Sequence, residues 1–258
     1  MKFGCCVTPE HIKILAEAGY DFCELPARCV QPFDDDTTAL PALRELAAAP
    51  LRPEAFNLLV PPELPLVGPY ADVDTLQAYL QHTFTRMAQL GGVVAVLGSG
   101  GARRLPEDMP RNQALIQLAE ALKIAQEEAQ QAGITLAIEH LNQQECNVLT
   151  SVAECYMFLQ KYDLCGLRLI VDLHHLEVEA ESLTVASEVA PLLAHVHVAG
   201  GGRLPPQTPG YDYAGFMATL HNVGYNQRIS VECCWDDLAT QAGEALAFMR
   251  NEWQTVTV

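Results

Sequence analysis

The sequence predicts an α/β fold, a single (β/α)8 TIM barrel. Two observations carry that prediction. Short, nearly continuous apolar runs alternate with longer helical patterns from end to end, and eight such pairs fit within 258 residues. Apolar runs without polar alternation suit parallel strands buried on both faces. Eight βα units in about 250 residues favour a closed barrel over an open doubly wound sheet. No linker, low-complexity tract or second domain interrupts the pattern, so residues 1–258 read as one domain.

The elements follow in order. KFGCCV is the first strand and PEHIKILAEAGY its helix, closed by Gly19. DFCEL and TALPALRELAAA form the second pair, RPEAFNLLV and DTLQAYLQHTFTRMAQLGG the third. VVAVLG precedes the longest helix, RNQALIQLAEALKIAQEEAQQAG, again stopped by glycine. ITLAIE, LRLIVD, LLAHVHV and RISVEC complete the strands. Their helices are expected in SVAECYMFLQKY, in a segment near 181–189, in YAGFMATLHNVG and in LATQAGEALAFMRNEW. Two Pro-rich stretches, LVPPELPLVGP and GGGRLPPQTPG, follow the third and seventh strands, at the rim where loops carry function.

Composition narrows the partners. The 15 basic residues are outnumbered by 32 acidic ones, for a formal charge of −17. Such a surface repels phosphodiester backbones and anionic membranes, so neither nucleic acid nor membrane is expected as a partner. The nine cysteines form no CxxC pair, the N-terminal run resembles no signal peptide, and no stretch approaches a membrane span. A cytoplasmic protein with reduced thiols is the expectation. The adjacent pairs Cys5/Cys6 and Cys233/Cys234 read as strand neighbours pointing to opposite faces, not as redox centres.

Four polar residues end four successive strands: Glu139, Asp172, His197 and Glu232. Any one could be a mere strand boundary. Four in register, each one βα unit apart, at the active end of a barrel, point to a site. Carboxylates gathered in one place need a cation or a shared proton to offset their repulsion. Three carboxylates and one imidazole suit Mn2+, Mg2+ or Co2+ and would admit Zn2+. His195 shares the face of His197 one layer lower, where a polar floor with Arg168, Ser230 and Arg228 is expected.

At these residues the chain resembles the xylose isomerase-like TIM barrels, the sugar isomerase and epimerase group. It is most similar to ketose 3-epimerases, such as those acting on D-tagatose and D-psicose, with hydroxypyruvate isomerase a near relative. The likeness is detailed in the second half and architectural in the first. In EHLNQQE, Glu139 matches the family's metal-binding catalytic glutamate and Glu145 its substrate-contacting one. In DLHHLEVE, Asp172 matches the metal aspartate and His175 the histidine of D-x-x-H. In HVAGGGR, His197 matches the metal histidine and Arg203 the substrate-binding arginine; Glu232 in VECCW matches the second catalytic glutamate, also a ligand. His140 stands where the family usually has proline, and Leu176 replaces a common methionine. The glycine-rich stretch after the arginine has become PPQTPGYDY, and the first loop, VTPEH, lacks the aromatic cover of hexulose epimerases.

The resemblance implies one divalent metal ion, Mn2+ foremost, and a small sugar or keto-sugar substrate. It implies an isomerase working by proton abstraction next to a carbonyl through a metal-bound enediolate, with Glu139 and Glu232 as acid and base. His175, Arg203 and Glu145 would bind substrate. Further candidates for substrate contact are Glu24, Asn57, Arg103 and Trp235. Arg103, with Arg104 in GSGGARR, would bind a phosphate or carboxylate if that loop is more than a solvated one. Alternatives are a dehydratase of the same superfamily acting on a cyclitol ketone or keto acid, and an aldose–ketose isomerase. An endonuclease IV-like repair enzyme fits the few histidines and the acidic charge poorly. A non-catalytic sugar-binding barrel would not need two opposed bases. A homo-oligomer is left open.

Overall fold

The computed structural model describes residues 1–207 and 210–257. Eight strands run in chain order: β1 (Lys2–Cys6), β2 (Phe22–Pro26), β3 (Pro53–Asn57), β4 (Val94–Leu97), β5 (Thr135–Glu139), β6 (Arg168–Asp172), β7 (Leu193–Val198) and β8 (Arg228–Val231). Each pairs in parallel with the next, and β8 pairs back onto β1, closing the barrel. The expected (β/α)8 architecture is the observed one.

The helices that return the chain begin and end as their sequences dictate. Asp35, Asp72 and Ser151 cap the helices Asp36–Ala47, Val73–Gln89 and Val152–Lys161 by accepting backbone N–H groups of the first turn. Gly19 and Gly133, both left-handed, close the helices Ile12–Ala18 and Arg111–Ala132. The segment expected to be helical near 181–189 differs. Asp172 caps a short helix immediately after β6, Leu173–Val178, and the later segment keeps only Val185–Glu188 helical. Among the described residues no helix is long and apolar enough to cross a membrane.

Two apolar layers hold the barrel. Outside it, Leu15, Phe56, Phe84, Leu122 and Phe216 are buried between strands and helices. Inside it, Phe22, Ala55, Val94, Val96, Ala137, Ile170 and Ala194 form a separate cluster. Phe22 fills this interior because Gly4 faces it; a Cβ on Gly4 would lie 2.3 Å from the ring. At the opposite mouth, Glu54 accepts Lys2 at 2.6 Å and Arg228 at 2.7 Å. Arg168 donates to the carbonyls of Cys165 and Leu167. Of the floor expected around His195, therefore, only Ser230 is present. Arg168 and Arg228 open their strands and lie at the far end of the barrel.

Candidate active site

Side chains two residues apart on a strand share a face. Beyond the interior residues Phe22, Ala55, Val96, Ala137 and Ile170 stand Glu24, Asn57, Gly98, Glu139 and Asp172. The same step leads from Gly4 to Cys6, from His195 to His197 and from Ser230 to Glu232. The eight strands thus contribute one ring of residues at their C-terminal ends.

His197 is the hub of that ring. Its Nδ1 lies 3.0 Å from Glu139 Oε1, 3.6 Å from Glu232 Oε2 and 3.9 Å from Asp172 Oδ2. Its Nε2 lies 2.9 Å from Glu24 Oε1, while Glu24 Oε2 meets His195 Nε2 at 2.8 Å. Both histidines and Glu24 are fully buried. Burial opposes the ionisation of Glu24, but His197 and His195 outweigh it and hold the carboxyl well below its ordinary pKa. Burial likewise opposes the imidazolium of His197, yet Glu24, Glu232 and Glu139 raise its pKa well above the usual value. Burial, together with the charges of Glu139 and Asp172, pushes Glu232 up to about 7.

Donor atoms of Glu139, Asp172, His197 and Glu232 all lie within 4.8 Å of one another. These residues could hold a divalent cation, and their chemistry fits one. Three carboxylate oxygens make a hard donor set, and a cation would replace the proton that the same negative field favours on His197. With Nε2 directed at Glu24, Nδ1 is the nitrogen left to face the carboxylates.

The flanking groups converge on the same place. Arg203 donates through Nη1 to Glu232 Oε2 at 3.0 Å and through Nη2 to Glu145 Oε1 at 3.0 Å. His175 accepts the backbone N–H of Asn142 at Nδ1, 3.2 Å away, which leaves Nε2 beside Arg203 Nη2 at 3.2 Å. Glu139, Glu145, His175, Arg203 and Glu232 line one cavity of about 300 Å3, with Leu58 at its wall. A larger cleft of about 510 Å3 beside residues 28–34 shares none of these side chains.

The structure thus brings together seven of the residues singled out in the sequence, and treats the remaining four differently. Asn57 is buried and directs Nδ2 toward Glu232 Oε1 at 3.5 Å. Glu24 belongs to the ring but is shut off from solvent; its oxygens meet His195 and His197, where it can orient the imidazole rather than touch substrate. Trp235 packs against the hydrophobic core beside Cys5. Arg103 departs furthest from expectation. The short helix Gly100–Arg103 turns its guanidinium inward, where it is fully buried and donates to the carbonyls of Leu97 and Leu149. Arg104 donates to the Glu145 carbonyl. These two arginines fasten the loops after β4 and β5 together, and the buried Arg103 does not face an anion site.

Three residues of the site went unassigned in the sequence. Cys6 and Gly98 complete the ring but carry no charge to mark them; strand parity alone could have found them. A Cβ on Gly98 would lie 2.2 Å from Glu139 Oε2, so this glycine makes room for that carboxylate. His140, the replacement for proline, accepts the Asp172 backbone N–H at Nε2, 3.1 Å away. Burial, then His175, lower its pKa to about 3, so it serves as a neutral acceptor.

The chain belongs to the xylose isomerase-like TIM barrel family, whose model matches residues 12–252. It is 28% identical over 178 residues to an L-ribulose 3-epimerase of Mesorhizobium japonicum, covering 67% of this chain and 59% of that protein. It is 25% identical over 242 residues to a ketose 3-epimerase of Arthrobacter globiformis, covering 92% of this chain and 81% of that one. Among solved structures it resembles the D-psicose 3-epimerase of Clostridium cellulolyticum H10, with a TM-score of 0.83 at 18% identity. That match covers 98% of this chain and 99% of the other. The match to the ribulose epimerase spans under two thirds of that relative's length.

Proposed function

We propose that the protein is a divalent-cation-dependent sugar epimerase, specifically a ketose 3-epimerase, that inverts the carbon adjoining a keto group. The observation that carries this reading is the convergence of Glu139 and Glu232 on His197 Nδ1 in the cavity that also holds Arg203 and His175. The names of the relatives in the same family agree with it. The net charge of −17 supports a small sugar over a nucleic acid as substrate, and a cytoplasmic location is proposed with it.

Glu139, Asp172, His197 and Glu232 would hold the cation, Mn2+ by preference, which when bound would act as a Lewis acid toward the keto oxygen. The chain's own groups move the proton. A carboxylate oxygen of one glutamate removes it from the carbon, and the carboxyl of the other returns one to the opposite face. Such general acid–base catalysis typically contributes about 10^2 to 10^4 in rate. Arg203 Nη1 and Asn57 Nδ2 each address one oxygen of Glu232 and so fix its carboxyl plane. Arg203 and His175 would hold substrate oxygens, and Glu145, which accepts from Arg203 and Asn142, would orient a hydroxyl. Leu58 and Leu141 add apolar surface to the cavity wall.

The test is proton exchange in D2O. Glu139→Gln and Glu232→Gln should each abolish deuterium incorporation at the carbon next to the ketone in Mn2+-reconstituted protein, read by NMR, with the fold intact by circular dichroism. Retained exchange in both variants refutes the two-glutamate assignment.

A further inference from the structure

We propose that the barrel carries a second, overlapping donor set for a soft divalent cation, formed by Cys6, Glu24 and His197. Donor atoms of these three residues lie within 4.8 Å of one another. They are placed by strands, not by loops. Cys6 and Glu24 are register partners across β1 and β2, and His197 belongs to β7. The set shares only His197 with the oxygen-rich ligands.

Chemistry distinguishes the two sets. Glu139, Asp172 and Glu232 offer only oxygen, which suits hard cations. Cys6 is the one sulfur in the ring, and a thiolate, an imidazole and a carboxylate together select Zn2+ or Cd2+ over Mn2+ or Mg2+. Access differs as well. Glu24 and His197 are fully buried, whereas Cys6 is only partly so, and a cation reaching the set would meet the sulfur first. On binding, the Cys6 S–H proton and the proton on the coordinating His197 nitrogen leave to solvent as the sulfur–metal and nitrogen–metal bonds form. The two negative charges of thiolate and carboxylate then match the divalent ion.

The consequence follows from the position of Glu24. Its two oxygens now serve His195 and His197, at 2.8 and 2.9 Å. A soft cation that takes a Glu24 oxygen removes the group that directs His197 Nδ1 at the other ligands. Soft and hard cations therefore bind antagonistically, and Zn2+ or Cd2+ acts as an inhibitor through Cys6. The inference rests on the donors alone and stands whatever sugar the protein acts on.

Binding is read without turnover. Chelator-stripped protein, kept reduced, is titrated with Cd2+ while the ultraviolet thiolate-to-Cd2+ absorption is followed. The parent protein should show a band that saturates at one equivalent. Cys6→Ser and Cys6→Ala should both lose it with unchanged circular dichroism, and variants of the exposed thiols, Cys165→Ser and Cys234→Ser, should keep it. Added Mn2+ should diminish the band in the parent protein. A band of undiminished intensity in either Cys6 variant, or no stoichiometric band in the parent, overturns the proposal. So does a band insensitive to Mn2+ in protein whose bound Mn2+ is verified by electron paramagnetic resonance; absence of bound Mn2+ would count against the hard site instead.

Discussion

Gly98→Ala tests how closely the site depends on a residue with no side chain. Gly98 does not lie in left-handed backbone, so alanine brings no conformational strain of its own. Its Cβ, however, would sit 2.2 Å from Glu139 Oε2, against a tight-contact range of 3.0–3.4 Å. Moving from 2.2 to 3.0–3.4 Å demands that the carboxylate retreat by 0.8–1.2 Å, away from a position 3.0 Å from His197 Nδ1. The far end of a glutamate can swing that far without disturbing the barrel, so stability should change little. Activity should not survive as well. A misplacement of about 1 Å in a catalytic array can cost about 10^2 in rate, or roughly 2.7 kcal/mol of barrier. The assay compares kcat and KM of parent and variant on a panel of ketoses with saturating Mn2+, alongside thermal melts. A fall in kcat with the melting temperature held would support the assignment of Glu139. Turnover within a small factor of the parent would refute it, because a displaced carboxylate could not be the group that handles the proton.

Other outcomes follow from the same geometry. Arg103→Met should lower stability in urea unfolding by about 1–3 kcal/mol through the lost bond to the Leu97 carbonyl, since Leu149 still accepts the Leu141 N–H, and should leave KM for a phosphorylated ketose unchanged. A raised KM at unchanged stability would instead restore the anion-binding reading of that loop. Glu24→Gln leaves one accepting oxygen for two histidines, so Mn2+ affinity, followed by electron paramagnetic resonance, should fall about 10- to 100-fold; unaltered affinity would mean that something other than Glu24 orients His197. Burial opposes the ionisation of Glu54, but Lys2 and Arg228 outweigh it and lower its pKa below 4.5. Its contribution to stability is therefore full above that ordinary value and is lost as pH falls toward the lower, folded one. Melting temperatures of the parent and Glu54→Gln should converge on acidification, and a gap that persists at low pH would contradict the assignment.

The legible part of the site was the part whose residue types contradict their surroundings. A carboxylate or imidazole ending an apolar strand stands out, and period-two alternation fixes which way it faces. Glu139, Asp172, His197 and Glu232 were readable for that reason. Gly98 and Cys6 obey the same parity but are ordinary residues for a strand end, so only the closed ring reveals that their size and chemistry matter. Arg103 shows the opposite failure. A glycine-rich loop followed by two arginines has the composition of an anion site, but composition does not report which way a four-residue helix turns its last side chain. The same limit applies after β6. The D-x-x-H spacing is visible, yet the capping of a helix by Asp172, which delivers His175 to Arg203, depends on where the strand stops.

Charge balance explains why these residues need one another. Five carboxylates, Glu24, Glu139, Glu145, Asp172 and Glu232, lie in or beside the ring, against Arg203 and, when protonated, His197. The local excess of negative charge raises His197, and burial, joined by the charges of Glu139 and Asp172, brings Glu232 to about 7. A proton on Glu232 relieves the repulsion, but it also withdraws one of the two carboxylates from base chemistry. A divalent cation held by the ring would relieve the same repulsion while leaving Glu139 and Glu232 ionised. Arg203 works in the same direction, since it donates to Glu232 and, lacking any acceptor, favours the ionised carboxylate. Under the proposed function, a cation in place of a proton would be the counter-charge that lets two neighbouring carboxylates act in opposite senses on one carbon.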